Sequence, residues 1–445
     1  MERIVILGAG ESGVGSAILA HKRGYNVMVS DFGTMAPKYR EELDSHGIAW
    51  EEGGHSDDLL NGASLVVKSP GIPRTAPIVK KIDVAGIPIA SEIEFAGQFY
   101  SGKSICITGS NGKTTTTSLL YHMLKEAGYT VGVGGNIGTS FARQIADQEF
   151  DWFVLELSSF QLEDMHQFKA DISILLNITP DHLDRYDYQL SKYADAKLRI
   201  IQNQKEEDLF IFFEDDETIA QKLTEMRLPM ASASFSLNSH SPSALAKVNE
   251  GHLDVSLAGR HFVAPLASLP LKGRHNWCNM MAAVLTTLRV GMSHRDILKG
   301  LETFEAVAHR LELSRILDGV SYINDSKATN IDATRFALDA YEQDIVWIVG
   351  GTDKGNDYSI IESLVKEKVK AIICLGMDNS KIVAAFQQSG IPIVETDAME
   401  KAVAAAHGYA KENDIVLLSP CCASFDLFQS YIDRGNQFKE YVNAL

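Results

Sequence analysis

A strand-like run, Ser104-Ile105-Cys106-Ile107-Thr108, leads straight into Gly109-Ser110-Asn111-Gly112-Lys113-Thr114-Thr115, and a helical stretch starts near Thr116. Few local patterns constrain a chain so strongly. Backbone N–H groups converge on one anion when glycines let the chain bend sharply between a strand and a helix N-terminus. The lysine then neutralises charge on the β- and γ-phosphates of a nucleotide, and the neighbouring hydroxyl can ligate Mg²⁺. The strict G-x-x-x-x-G-K-T spacing is not met, because Ile107 stands where its first glycine would be. A plain glycine turn would leave Lys113 and Thr114 unexplained. A strand feeding such a loop belongs to an α/β fold.

Two further glycine-rich regions divide the chain. Near the start, Ile4 to Leu7 run into Gly8-Ala9-Gly10-Glu11-Ser12-Gly13, then a helix to about Arg23 and a strand from Tyr25 to Ser30 that ends on Asp31. This is the G-x-G-x-x-G pattern in its strand–turn–helix setting, with an acid about 20 residues on. Too little chain separates it from the loop at residue 109 for a two-halved dinucleotide domain. A Rossmann-like module holding a nucleotide by its pyrophosphate is therefore favoured over NAD binding. Later, Val320–Ile323, Ile345–Val349, Ala371–Leu375 and Ile415–Leu418 read as strands, with helices at Ile360–Val369 and Met399–Lys411 as crossovers. Their ends carry Asn324 to Lys327, Gly350 to Lys354 and Ser419-Pro420, and ligands gather at the carboxyl ends of parallel strands. The expected organisation is three α/β domains, 1–91, 92–305 and 306–445: Rossmann-like, phosphate-loop, and Rossmann-like again. The polar stretch from about Ala231 to Leu271 reads as a strand-and-loop appendage of the second.

Bulk properties exclude several classes. The 445 residues are 45% hydrophobic and 22% charged, a soluble globular profile. No apolar run approaches the roughly 20 residues that span a bilayer, and the opening residues read as a buried strand rather than a signal peptide. A formal charge of −17 argues against nucleic acid and anionic membranes as partners. The five cysteines show no ligand spacing, which points to free thiols in a reducing compartment. A cytoplasmic monomer acting on small molecules is expected.

Other residues sharpen the picture. Glu156 ends the apolar run Trp152–Leu155, and His182 is expected to end another, Ile172–Ile178. Each has a bland reading, as a solvated or helix-capping acid and as a structural histidine. Lys197 lies on an expected helix from Gln189 to Ile201 among Lys192, Asp195 and Arg199, where an ordinary surface salt bridge is the simple alternative.

Taken together, Thr108 to Thr115, Leu155-Glu156-Leu157-Ser158-Ser159-Phe160-Gln161-Leu162, Asn177 to Asp184, Lys197, His275-Asn276 with Asn279, His309-Arg310, Asn324 to Asn330 and Ser419 to Ser424 resemble the Mur ligase family. The resemblance covers essentially the whole chain. The LSSFQL and NDSKATN segments are similar to the D-glutamate-adding member in particular, and the DNPR and DDYGHHP segments of other members are absent.

That resemblance implies ATP as cofactor with two Mg²⁺ ions, and UDP-N-acetylmuramoyl-L-alanine and D-glutamate as substrates. It implies ATP contacts at Gly109, Ser110, Asn111, Gly112, Lys113, Thr114, Thr115, Asn276, Asn279, Arg310 and Asp325. Metal ligation falls to Thr114, Glu156, His182 and a carbamylated Lys197, with Lys113, Glu156, His182 and Lys197 catalytic. Gly10, Glu11, Ser12, Asp31, Ser69, Asn136, Gln161 and His182 would meet the UDP-linked substrate. Phe32 departs from the polar or basic residue of some relatives, so its ring or backbone contacts take over at the uracil. Lys327, Thr329, Lys354 and Ser424 would hold D-glutamate, although each could instead be a helix cap or surface residue. Closure of the third domain is expected in the cycle. The competing readings are an NAD-dependent oxidoreductase, which leaves Lys113, Glu156 and His182 idle, a non-catalytic nucleotide switch, and a family member adding another amino acid. Folate–glutamate ligases share the phosphate loop but lack the opening GAGESG domain.

Overall fold

The computed structural model describes residues 1–305 and 307–445, so the expected start of the third domain, residue 306, lies outside the described residues. Among the described residues the strands form three sheets of five, nine and six strands. The chain divides into two compact units, Met1–Ser268 with Cys278–Phe304, and Leu269–Trp277 with Glu305–Leu445.

In the first unit, β1 (Arg3–Leu7), β2 (Asn26–Asp31), β3 (Ala49–Glu52), β4 (Ala63–Lys68) and β5 (Ile89–Ala90) form a parallel sheet in the order β3-β2-β1-β4-β5. Ile4 to Leu7 are buried throughout, as in a parallel strand covered on both faces. Helix α1 (Glu11–Lys22) follows the first turn at once. A Cβ on Gly13 would lie 1.8 Å from the Gly8 carbonyl oxygen, so only glycine lets the helix start this close to the strand.

The second sheet contains β6 (Lys103–Thr108), β7 (Val131–Gly135), β8 (Trp152–Glu156), β9 (Ile172–Leu175), β10 (Leu209–Phe213), β11 (Ala231–Ser236), β12 (Ala246–Asn249), β13 (His252–Leu257) and β14 (Arg260–Pro265). Its order is β14-β13-β12-β11-β10-β9-β6-β8-β7. The stretch read as an appendage is thus a continuation of the sheet, with β11 parallel to β10 and β12 to β14 joined by antiparallel pairing. It looks polar because β13 and β14 bury alternate residues only, Leu253 and Val255, then Phe262 and Ala264, which is how a one-faced antiparallel ribbon reads.

The two sheets of this unit share one hydrophobic core. Val14 and Ile18 of α1 and Ile93 and Phe95 cluster with Phe141, Phe153 and Leu155. The approach is close enough that a Cβ on Gly15 would sit 2.2 Å from Ser140 Oγ.

The second unit, taken by itself, holds β15 (Glu312–Leu317), β16 (Val320–Asn324), β17 (Ile345–Val349), β18 (Val369–Leu375), β19 (Ile393–Thr396) and β20 (Ile415–Leu418), in the order β15-β16-β20-β17-β18-β19. All neighbours are parallel except β15 and β16. The expected crossover helices are Glu362–Lys368, after a 3₁₀ turn over Tyr358–Ile361, and Met399–Tyr409. No helix among the described residues is long and apolar enough to cross a membrane.

Candidate active site

The phosphate loop leaves β6 between two neighbours. On one side β8 puts Glu156 level with Ile107, and on the other β9 puts Leu175 level with Thr108. Helix α2 (Lys113–Glu126) begins at Lys113 itself, a little earlier than expected, after Gly112 in a left-handed conformation (φ +85°). Thr114 and Thr115 are buried in its first turn. The Asn177 side chain clamps the loop, accepting from Asn111 N (2.8 Å) and donating to Asn111 O (3.0 Å). Ser110 Oγ donates to Thr179 O (2.9 Å), and Asn279 accepts from Thr116 Oγ1 (3.2 Å). A Cβ on Gly112 would lie 2.5 Å from Asn279 Oδ1, so this glycine is needed for space as well as for φ.

Two lysines converge on one acceptor. Lys113 Nζ folds back to donate to Gly109 O (2.8 Å) and Ser110 O (2.9 Å), and Lys197 Nζ donates to the same Gly109 O (2.8 Å). Lys197 lies on α3 (Leu190–Leu198) with 1% of its surface exposed, its Nζ 4.4 Å from the centre of the Tyr193 ring. Burial first, and the charge of Lys113 second, hold its ammonium far below the ordinary lysine range. The surface-salt-bridge reading of Lys197 is overturned, because Lys192 pairs with Asp187 and Asp195 with Lys222 while Lys197 points inward. A lowered pKa enlarges the neutral fraction of an amine, and the neutral form is the one that reacts with carbon dioxide.

Glu156 is 2% exposed; its Oε1 accepts from Asn136 Nδ2 (3.0 Å), and its Oε2 is buried with no hydrogen-bond partner. A buried, orphaned carboxylate oxygen is costly unless a cation completes it. Among the described residues no three His, Cys, Asp or Glu side chains gather as a metal cage. The orphaned Glu156 oxygen suits Mg²⁺, which is commonly held by one or two carboxylates and the phosphates of its substrate.

His182 is placed differently from the expectation. Strand β9 stops at Leu175, and the buried Leu176 and Ile178 continue the apolar run as loop, so His182 does not end a strand. It takes a left-handed conformation (φ 52°) before the 3₁₀ turn Leu183–Tyr186, its ring 5.3 Å from that of Phe160. Gln161 is buried, and its Oε1 accepts from Ser158 N and Oγ in a capping box (both 3.0 Å), so that oxygen is already engaged.

At the amino-terminal turn, Gly10 caps α1 and Ser12 lies against the fully buried Glu92, whose carboxyl burial pushes up. Glu11 Oε1 accepts from Arg143 Nε (2.8 Å) and Ser140 N (3.1 Å). Asp31 braces the turn, taking Ala9 N on one oxygen (2.7 Å) and Gly33 N on the other (2.8 Å). Phe32 is 76% exposed, 5.9 Å from the His55 ring. The segment carrying Ser69 is anchored by a pair that sequence reading missed: Lys68 Nζ lies 3.0 Å from Asp164 Oδ2, the two side chains 1% and 2% exposed. Lys68 also donates to Ile72 O (3.0 Å), and Arg74 reaches the other Asp164 oxygen.

In the second unit, the carboxyl ends of β16, β20 and β17 lie side by side, with Asn324 and Ile348 both level with Leu418. The loops leaving them carry Lys327 and Thr329, Ser424, and Lys354. Lys327 is half-buried with its Nζ 5.2 Å from the Tyr431 ring centre, Thr329 is half-buried, Ser424 buried and Lys354 exposed. The loop before Lys354 is shaped by Asp353, which accepts from Gly355 N (2.7 Å), Tyr358 OH (2.9 Å) and Lys381 Nζ (2.8 Å). Asn276 Nδ2 donates to Lys272 O (2.8 Å). Asp325 is buried beside Arg310 and Ser419, whose Oγ donates to it (2.9 Å).

Burial pushes the Asp325 carboxyl up to about 7, against a partial opposing pull from Arg310. The folded state therefore holds a proton that the unfolded chain releases near pH 4, and stability falls as pH rises between about 4 and about 7. Asp325→Asn is expected to flatten that part of the stability–pH curve. Urea midpoints across the range check it; an unchanged slope counts against the buried proton.

Comparison with known proteins reaches all three parts of the chain. Residues 2–91 match the Mur ligase MurD-like N-terminal domain, 107–287 the Mur ligase middle domain, and 309–422 the Mur ligase glutamate ligase domain. The chain is 50% identical to the UDP-N-acetylmuramoylalanine–D-glutamate ligase of Bacteroides fragilis, covering 100% of both chains. It is 48% identical to that of Porphyromonas gingivalis, over 99% of this chain and 98% of the relative. The UDP-N-acetylmuramate-alanine ligase MurC of Thermotoga maritima has the same fold, with a TM-score of 0.62 at 18% identity over 100% of each chain. Full-length identity at this level leaves no room for an oxidoreductase built on the first glycine turn, and the chain belongs to the Mur ligase family of ATP-dependent ligases.

Proposed function

We propose that this chain joins D-glutamate to UDP-N-acetylmuramoyl-L-alanine, converting ATP to ADP and phosphate, as a cytoplasmic monomer. The observation that carries the reading is the phosphate loop bounded by Lys113, Lys197 and the orphaned Glu156 oxygen. The full-length relatives named as D-glutamate ligases support the choice of substrates. Loop amides from Gly109 to Thr115 and the Lys113 ammonium hold the triphosphate and neutralise its charge. A terminal carboxylate oxygen of the UDP-linked substrate attacks the γ-phosphorus, the bond to the β-phosphate oxygen breaks, and an acyl phosphate and ADP result. The amine of D-glutamate then attacks the acyl carbon, and phosphate leaves as the amide forms. Thr114, Glu156, His182 and a carbamylated Lys197 are the residues that would hold Mg²⁺, which when bound offsets charge on the phosphates.

Asn276, Asn279, Arg310 and Asp325 serve the nucleotide in this reading, while Gly10, Glu11, Ser12, Asp31, Ser69, Asn136 and Gln161 serve the UDP-linked substrate, with Phe32 stacking on the uracil. Two lysines and two hydroxyls (Lys327, Lys354, Thr329, Ser424) suit the two carboxylates of glutamate. Phosphate release with UDP-N-acetylmuramoyl-L-alanine and ATP, compared across D-glutamate, L-alanine, L-lysine and diaminopimelate, tests it. Only D-glutamate should stimulate release, and a folded Lys113→Ala variant should be silent. Stimulation by another of these amino acids and not by D-glutamate sinks the substrate assignment.

A further inference from the structure

We infer that Arg434 is the positioning residue of the amino-acid site: one buried guanidinium ties together the three loops that carry Lys327 and Thr329, Lys354, and Ser424, and so sets their spacing for a dicarboxylate amino acid. The inference rests on the D-glutamate reading above.

Arg434 lies on α4 (Tyr431–Ala444) and is 1% exposed. Its Nε donates to Ser326 Oγ (3.0 Å), and its Nη2 to Ser326 O (2.8 Å) and Cys422 O (3.1 Å). Its Nη1 reaches Gly350 O (3.4 Å). One planar group thus touches the loops after β16, β20 and β17. The backbone makes room for it: a Cβ on Gly351 would lie 3.2 Å from Arg434 Nη1 and 2.2 Å from Ala423 O. A Cβ on Gly435 would lie 2.2 Å from His309 Nδ1, so the helix comes close only because glycine follows the arginine. Thr352 and Ala423 exchange backbone hydrogen bonds (2.9 and 3.2 Å), so two of the loops are also laced directly.

None of these acceptors is a carboxylate. Asp325 and Asp426 act on the guanidinium only at longer range, and burial draws its pKa down to about 10. For stability alone, an apolar side chain in this place serves as well or better than a buried charge. A cation whose direct acceptors are all neutral is useful where a dianion is to be bound, since its field reaches the loops above it. Lysine has the charge but not the fork that spans three loops.

The test uses the full-length chain with Arg434→Lys, Arg434→Met and Ser326→Ala. Phosphate-release kinetics give KM for D-glutamate and for ATP, and amide hydrogen exchange reads residues 326–329, 350–354 and 422–424. Arg434→Lys is expected to raise the D-glutamate KM by about tenfold or more while the ATP KM stays within about threefold. The three segments should lose protection together. A folded Arg434→Lys with a wild-type D-glutamate KM, an equal rise in both KM values, or loosening of one loop alone overturns the inference. Should both arginine variants fail to fold, Ser326→Ala removes one acceptor only and should show the same split at about threefold; an unsplit result there also overturns it. Wild type that ignores D-glutamate sinks the substrate reading instead, and the exchange data still report on the three-loop tie.

Discussion

Replacing Lys197 by methionine is expected to leave a folded protein with ligation reduced by roughly a thousandfold, the loss that follows from removing several kcal/mol of charge stabilisation at a transferring phosphoryl group. Methionine fills nearly the same buried volume, so packing around Tyr193 should survive. It cannot add carbon dioxide. If the side chain works as a carbamate, Lys197→Ala should recover part of its activity when small carboxylates are supplied at high concentration, because they can enter the vacated space. Carbon-13 carbon dioxide should also give wild type, and not Lys197→Met, a carbamate resonance. A fully active Lys197→Met returns the lysine to a packing role beneath Gly109, and absence of the resonance from an active wild type rejects the carbamate.

Asp164→Ala is the second large effect, on stability. Lys68 is sealed in with its counter-ion, and removing Asp164 strands a buried ammonium whose remaining acceptors are backbone carbonyls. Breaking such a pair costs about 3–5 kcal/mol, whereas replacing both members with apolar residues is often near neutral. Asp164→Ala should therefore lower the urea midpoint steeply, and Lys68→Met with Asp164→Leu should recover most of the loss. Arg74 is 43% exposed, and Arg74→Ala should cost only about 0–1 kcal/mol. Equal midpoints for wild type and Asp164→Ala would show that the pair is not what holds the Ser69 segment. Loosening of that segment should also appear as a higher KM for the UDP-linked substrate.

The parts of this chain that reasoning from sequence reached are those whose physics is local. A glycine turn between an apolar run and a helix needs no distant partner to be read, and the loops at Gly8 and Gly109 and the strands at Ile345 and Ile415 stand where the pattern puts them. His182 was displaced because burial and strand are not the same thing: Leu176 and Ile178 are buried as loop. Lys197 looked like a surface residue because Lys192, Asp195 and Arg199 are charged and close in sequence, yet its side chain turns inward to meet Gly109 O of the phosphate loop. Arg434 and Asp164 were silent in the sequence, since each finds partners far along the chain, Ser326 in one case and Lys68 and Arg74 in the other. Hydrogen bonds of that range leave no periodicity to detect.

The common core of the first unit bears on how this protein can vary. Residues 2–91 answer to one family description and 107–287 to another, yet Val14, Ile18, Phe141 and Phe153 share a single apolar cluster. The two stretches bury apolar surface against each other, so they are expected to unfold together, and a fragment ending at residue 91 would expose its share of that core. An amino-terminal domain transplanted from a relative would have to bring its facing residues with it, down to the contact of Gly15 with Ser140. The step from one family description to the next falls between residues 91 and 107. It is not a place where the molecule can be cut.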